Sequence, residues 1–229
     1  MAERPTVAVQ DYLKAIHRLG GADARVSPAE IAQLLQVKAP SVTGMLKRLV
    51  EAGWIDYQPG QGAILSDAGR AEARRVIRRH RLIELFLTEV LGLDWSEVDA
   101  EAEALEHAIS PRLEQAIAAH LGEPLEDPHG HPIPSANGEL RHRELQRLNE
   151  FRTGQVVIIR EAQDDHPDRL RRWRDLGLLP GTRIEIVEYH PLDDRFELAV
   201  GDRRIQLGSE GLAGLRGELE TTGADSSSR

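Results

Sequence analysis

Glu103, Glu106 and His107 stand at i, i+3 and i+4, a spacing that sets two carboxylates and an imidazole on one face of a helix. His80 and Glu84 stand at i and i+4 on the segment before it, and two such faces can converge on one cation. The chain has 229 residues and no cysteine. Thiolate zinc, iron–sulfur clusters, disulfides and a thiol nucleophile are therefore excluded, and any metal must be held by nitrogen and oxygen. The same pattern is also what an acidic solvated surface looks like. Glu84 to Asp127 contains twelve acids and one base, Arg112, and His80 belongs to the basic run Arg78-Arg79-His80-Arg81. By spacing alone, a metal site and an acidic helix face remain alternatives. A carboxylate-and-histidine site also admits a metal-dependent hydrolase, which would need a substrate cleft.

A second chemistry is written in the charge distribution. The net charge is −9, which argues against nucleic acid only as an average, because residues 1–80 carry net +4 and the remainder net −13. No acid lies between Glu30 and Glu51, whereas Lys38, Lys47 and Arg48 do. The elements around them are legible. Val9, Leu13, Ile16 and Leu19 give a first amphipathic helix that stops at Gly20-Gly21. Ser27, Pro28 and Glu30 match a capping residue, a first-position proline and the reciprocal acid of a second helix through Ile31, Leu34 and Leu35. A third helix opens around Pro40 and turns Val42, Met45, Leu46 and Leu49 inward. Two short helices joined by a tight turn, the second presenting small polar and basic residues, form the layout of a helix-turn-helix. Lys38, Ala39, Pro40, Ser41, Thr43, Gly44, Lys47 and Arg48 then make its DNA face. Pro40, Ser41, Thr43 and Gly44 are placed for base edges, and Lys38, Lys47 and Arg48 for phosphates. A basic protein-interaction module is the plainer alternative.

Trp54 to Tyr57, the turn Gln58-Pro59-Gly60-Gln61-Gly62 and Ala63 to Leu65 read as a β-hairpin wing. A long helix from Ala68 to about Val90, a helix from about Ser96 to His107 and another beginning at Pro111 follow. Glu123 to Glu139, rich in Pro, Gly, His and Asp, reads as a linking loop. Runs at 156–159, 183–187, 196–200 and 203–207 predict a small β-barrel. The fold class is mainly α with a small all-β domain. The expected domains are 1–72 (winged helix-turn-helix), 73–142 (helical), 150–220 (β-barrel) and a disordered polar tail, 221–229. No apolar run reaches the roughly 20 residues that cross a bilayer. Met1 to Thr6 lacks a basic segment followed by an apolar one, so a cytoplasmic location without membrane association is expected.

QDYLKAIH, APSVTGMLKRL, RRHRLIELFL, AEALEHAIS, DPHGHPIPS and the β-rich segment after them together resemble the diphtheria-toxin-repressor family of metal-dependent transcriptional repressors. The resemblance runs in order along nearly the whole chain. It implies a winged-helix DNA-binding domain, a helical dimerisation domain carrying the metals and a C-terminal SH3-like barrel like those of ferrous-iron transport accessory proteins. It implies no enzymatic activity. Asp11 would join Glu103, Glu106 and His107 in a primary metal site; His80, Glu84 and Asp99 would form an ancillary one, with His166, or Asp165 or Asp168, from the barrel. His129, His131, His142 and His190 read as loop or surface histidines.

Asp11 stands where iron-sensing members have Met, and Glu103 where they have Cys. Hard carboxylate oxygen in place of sulfur favours Mn²⁺ and tolerates Fe²⁺, one or two ions per chain. Lys14 is a departure, since manganese-sensing members have Glu there and a cation one turn from Asp11 cannot be a ligand. The implied mechanism is that the acids repel one another without metal, whereas bound metal ties the DNA-binding heads of a homodimer to their scaffold at the spacing of a palindromic operator in double-stranded DNA. The metal-uptake genes would be the targets. A metal-independent winged-helix regulator sensing an organic ligand is the remaining alternative, and it would need an apolar pocket in a chain with 4% aromatic residues.

Overall fold

Thr6 opens α1 (Val7–Arg18) by accepting a hydrogen bond from the Val9 amide, and the helix turns Leu13 and Ile16 fully inward. In α2 (Pro28–Leu34) the Ser27 hydroxyl accepts from the Glu30 amide while Glu30 accepts from the Ser27 amide, the reciprocal cap read from the sequence. The helix α3 (Ala39–Glu51) follows, with Val42, Leu46 and Leu49 fully buried. This computed structural model describes residues 5–163 and 166–220. Asp165 and the tail 221–229 lie outside the described residues.

Two compact units divide the chain. The first takes residues up to 83, 102–123 and 133–140, and the second takes 84–101, 124–132 and 141 onward. In the first, one core joins Leu13 and Ile16 of α1 to Ile31 of α2, to Val42, Leu46 and Leu49 of α3, and to Ile55, Ala63 and Leu65 of the wing. Each such side chain contributes about 1.5–3 kcal/mol by leaving water. The three helices and the wing are thus one rigid head. The wing pairs β1 (Ile55–Gln58) antiparallel with β2 (Gly62–Leu65), from Ile55 opposite Leu65 to Gln58 opposite Gly62. Arg25 pins it through Asp56 and the Gly62 carbonyl. Gly62 has φ +101°, and a Cβ there would collide with the Val26 carbonyl. Gly62→Ala is therefore expected to cost about 1–3 kcal/mol, measured as a lower chemical-denaturation midpoint.

The helix α4 (Asp67–Glu89) matches its expected bounds closely, but α5 (Val98–Leu105) ends before Glu106 and His107. One further helical bond, from the Glu106 amide to the Ala102 carbonyl at 2.9 Å, keeps Glu106 in register. His107 sits in the turn that follows, before α6 (Pro111–His120). The segment 123–139 is loop, as its composition predicts, but it is not a free linker. Asp127, His129 and Ile133 in it are buried, and its two halves belong to different units.

In the second unit, β3 (Gln146–Arg147), β4 (Val156–Ala162), β5 (Arg183–His190), β6 (Arg195–Val200), β7 (Arg203–Gly208) and β8 (Leu215–Leu219) form one antiparallel sheet ordered β3-β8-β4-β5-β6-β7. A bulge shifts the β4–β8 register between Ile159 and Glu161. Trp173 on α7 (Pro167–Leu176) is fully buried, and its indole N–H donates to the Gly211 carbonyl at 2.9 Å, beside α8 (Ser209–Leu212). Sequence reading did not anticipate β3, β8, α7 or α8. Among the described residues no helix is long and apolar enough to cross a membrane.

Candidate metal centre

In the first unit Asp11, Glu106 and His107 each present a ligand atom within 4.8 Å of the others. Their positions follow from the helices. Asp11 shares α1 with the two residues that anchor it in the head, Leu13 and Ile16, while Glu106 and His107 come off the last turn of α5. The His107 Nε2 lies 2.8 Å from Asp11 Oδ1 and 3.3 Å from Glu106 Oε1. Both carboxylate oxygens are buried and have no hydrogen-bond partner among the described residues.

The orientation of His107 follows from its neighbours. Gln10 donates through Nε2 to Glu72 Oε1 at 2.6 Å, which orients its amide so that Oε1 faces His107 Nδ1 at 2.8 Å. Nδ1 is thereby directed at Gln10, and Nε2 faces the two carboxylate oxygens. One imidazole nitrogen and two buried carboxylate oxygens facing one another form a donor set that a cation would satisfy. A divalent ion with oxygen and nitrogen ligands fits these residues. Burial above all holds the Asp11 carboxyl above the ordinary range; His107 opposes this, and Glu103 and Glu106 add to it. Protons accordingly compete with a cation at this place.

Gln10 and Glu72 were not foreseen from the sequence. They hold the imidazole from behind, the position that outer partners of metal-binding histidines take. Gln10→Leu is expected to weaken Mn²⁺ affinity about 10–100-fold with little change in fold, read by isothermal titration.

Glu103 goes elsewhere. Its Oε2 accepts from Lys14 Nζ at 2.5 Å, and Lys14 also donates to Glu106 Oε2 at 2.7 Å and lies 3.1 Å from His80 Nδ1. His80 Nδ1 is in turn 2.7 Å from Glu106 Oε2. Burial pushes the Glu106 carboxyl up, but the hydrogen bond from His80 and the charge of Lys14 outweigh it and leave Glu106 below the ordinary range. The all-acid cluster expected from the sequence is therefore a mixed one, its repulsion partly offset by Lys14.

His80 and Glu84 stand one turn apart on α4. In the second unit, carboxylate oxygens of Glu84 and Asp99 lie within 4.8 Å. His166 precedes α7 as its N-cap and joins none of the close ligand groups found among the described residues. Asp168, in the first turn of α7, pairs with Arg171 at 2.8 Å. Asp127, His129 and His131 also come within 4.8 Å of one another. Asp127 Oδ1 accepts the amides of His129 and His131 at 2.8 and 2.9 Å, and His129 Nε2 is 2.9 Å from the Trp95 carbonyl. These are the contacts of a packed loop.

On the head, Lys38, Ala39, Pro40, Ser41, Gly44, Lys47 and Arg48 are exposed and Thr43 is half-buried, its hydroxyl donating to the Ala39 carbonyl at 3.3 Å. A Cβ at Gly44 would meet nothing within 4 Å, so the face is open to close approach from outside.

Three family models match successive parts of the chain: the iron dependent repressor N-terminal DNA binding domain over residues 6–63, the iron dependent repressor metal binding and dimerisation domain over 66–135, and the FeoA domain over 146–214. The iron-dependent repressor IdeR of Mycobacterium leprae is 30% identical over 211 residues, 87% of this chain and 91% of that one. The diphtheria toxin repressor of Corynebacterium efficiens is 33% identical over 203 residues, 87% of this chain and 79% of that one. Among solved structures, a manganese-dependent transcriptional repressor in complex with manganese superposes with a TM-score of 0.84 at 32% identity, covering 92% of this chain and 99% of that one. ScaR with bound Zn²⁺ gives 0.75 at 32% identity, covering 93% and 99%. The relatives are transcriptional repressors, which removes the hydrolase alternative. The chain belongs to the iron-dependent repressor family, that of the diphtheria toxin repressor.

Proposed function

We infer that this chain is a metal-dependent DNA-binding repressor whose switch is a divalent ion, Mn²⁺ or alternatively Fe²⁺, held by Asp11, Glu106 and His107. The observation that carries this reading is the convergence of two buried carboxylate oxygens, Asp11 Oδ1 and Glu106 Oε1, on His107 Nε2. When bound, the ion supplies positive charge and directed coordination. The residues supply the consequence. Asp11 belongs to the helix whose Leu13 and Ile16 are packed with the cores of α2 and α3, so fixing Asp11 against Glu106 and His107 fixes the recognition helix with it. The donors are oxygen and nitrogen in a chain without cysteine, which supports Mn²⁺ or Fe²⁺ over softer metals.

The match to a dimerisation domain supports a homodimer. Two copies of α3 would then meet successive turns of a palindromic operator, with Ser41, Thr43 and Gly44 at base edges and Lys38, Lys47 and Arg48 on phosphates. Control of metal-uptake genes follows the same reading. Glu84 and Asp99 are the residues toward which an ancillary ion would be drawn. A DNA-binding head at 1–72, a helical domain at 73–142 serving dimerisation and a β-barrel at 150–220 divide these tasks.

Asp11→Asn tests the reading. It keeps the shape and removes one charged ligand, so Mn²⁺ affinity is expected to fall at least about tenfold while affinity for DNA in chelator stays as it is. Wild-type Mn²⁺ affinity and undiminished metal stimulation of DNA binding in this variant would overturn it.

A further inference from the structure

Two candidate cation groups share Glu106. One is Asp11, Glu106 and His107; the other is His80, Glu103 and Glu106, whose ligand atoms also lie within 4.8 Å of one another. The two groups differ in one respect. The second already surrounds a positive charge, because Lys14 Nζ lies 2.5 Å from Glu103 Oε2, 2.7 Å from Glu106 Oε2 and 3.1 Å from His80 Nδ1. The Lys14 side chain is 7% exposed and that of Glu106 is fully buried. Lys14 donates to the two carboxylates, Glu103 and Glu106, and lies against His80 Nδ1, so the ammonium stands among the three atoms that would otherwise ligate an ion. The two oxygens of Glu106 are divided accordingly. Oε2 faces Lys14 and His80, whereas Oε1 is left without a hydrogen-bond partner on the side of Asp11 and His107.

We propose that Lys14 is a tethered resident cation that fills the His80–Glu103–Glu106 group, so that this half of the cluster takes no metal ion and a single exchangeable ion at Asp11, Glu106 and His107 completes the switch. This rests on the function inferred above and adds the stoichiometry of that site. Two charges of one sign a few ångströms apart repel strongly in a buried place, so Lys14 and a second divalent ion exclude one another. The ammonium also holds α1 to the end of α5 without metal, through Glu103 and Glu106. Metal-free protein thus keeps part of the connection that an all-carboxylate cluster would lose.

The test is to count bound Mn²⁺ on the full chain by electron paramagnetic resonance and to look for the exchange-coupled signal of two adjacent ions. Wild type should show no coupled pair. Lys14→Glu should bind one more Mn²⁺ per chain and show the coupled signal. Lys14→Ala, which opens the space without adding a third acid, should also bind one more. Should Lys14→Glu be unstable without metal, the Lys14→Ala count decides the matter. The metal-free denaturation midpoint should drop in both variants, and Mn²⁺ should restore it. A coupled pair in wild type, or an unchanged count in both Lys14 variants, would overturn this inference and leave the Asp11 site standing. Wild-type Mn²⁺ affinity in Asp11→Asn would overturn the Asp11 site and this inference with it.

Discussion

Glu106→Gln is expected to abolish metal-stimulated DNA binding. Glu106 is a buried carboxylate whose two oxygens face different partners: Oε1 faces Asp11 and His107, and Oε2 accepts from Lys14 beside His80. An amide has one oxygen and two N–H donors. If the oxygen serves Lys14, an N–H points into the ligand group; if it serves the ion, an N–H points at an ammonium. Mn²⁺ affinity should fall at least about 100-fold, beyond the 10–100-fold typical of losing an outer partner of a ligand. Stability should fall by about 1–3 kcal/mol, the worth of a hydrogen bond to a charged group. Titration of Mn²⁺ and a denaturation curve separate the two effects. Glu106→Ala would be a poorer test, because it removes a buried partner of Lys14 outright and broken buried pairs cost about 3–5 kcal/mol.

The DNA face should fail in a different way. Lys47 and Arg48 are exposed on α3 beside the open surface at Gly44. If both meet phosphates, replacing them with alanine reduces the slope of log affinity against log salt by about 1.8, since each neutralised phosphate contributes about 0.9. Affinity at fixed salt should drop about 10–100-fold, equally on matched and mismatched sites, because phosphate contacts carry no sequence information. Mn²⁺ binding should be unchanged. A loss of Mn²⁺ affinity in this double variant would mean that the head is disturbed as a whole.

Local signals made the helical head readable in advance. The Ser27 cap, the inward pattern of Val42, Leu46 and Leu49, and the turn before Gly62 each have a short-range cause, and each reappears in the structure. The sheet was less legible at its margins. Gln146–Arg147 is too short to show alternation, and Leu215–Leu219 has only two leucines, separated by Arg216, Gly217 and Glu218. The helix α7 was hidden because its burial rests on Leu170 and Trp173 alone among ten mostly charged residues.

The metal centre was legible in its residue types but not in how they divide. Asp11, Glu106 and His107 come together as a group. That Glu103 and His80 join Lys14 depends on α5 ending at Leu105 and on a buried lysine, which hydrophobic periodicity marks only as a polar residue on α1. Gln10 gave no motif, because its work is to orient an imidazole that is distant in sequence. The burial of His129 likewise depends on Trp95, far away in the chain.

The central claim is that a divalent ion switches DNA binding. Fluorescence anisotropy of a labelled duplex from the region upstream of this protein's own gene, titrated with protein at fixed salt in chelator and then in Mn²⁺ or Fe²⁺, tests it most directly. The account predicts tight binding with metal and weak binding in chelator, with Glu106→Gln remaining at the chelator level in both. Equal affinity with and without metal would contradict it and reduce Asp11, Glu106 and His107 to a structural cluster.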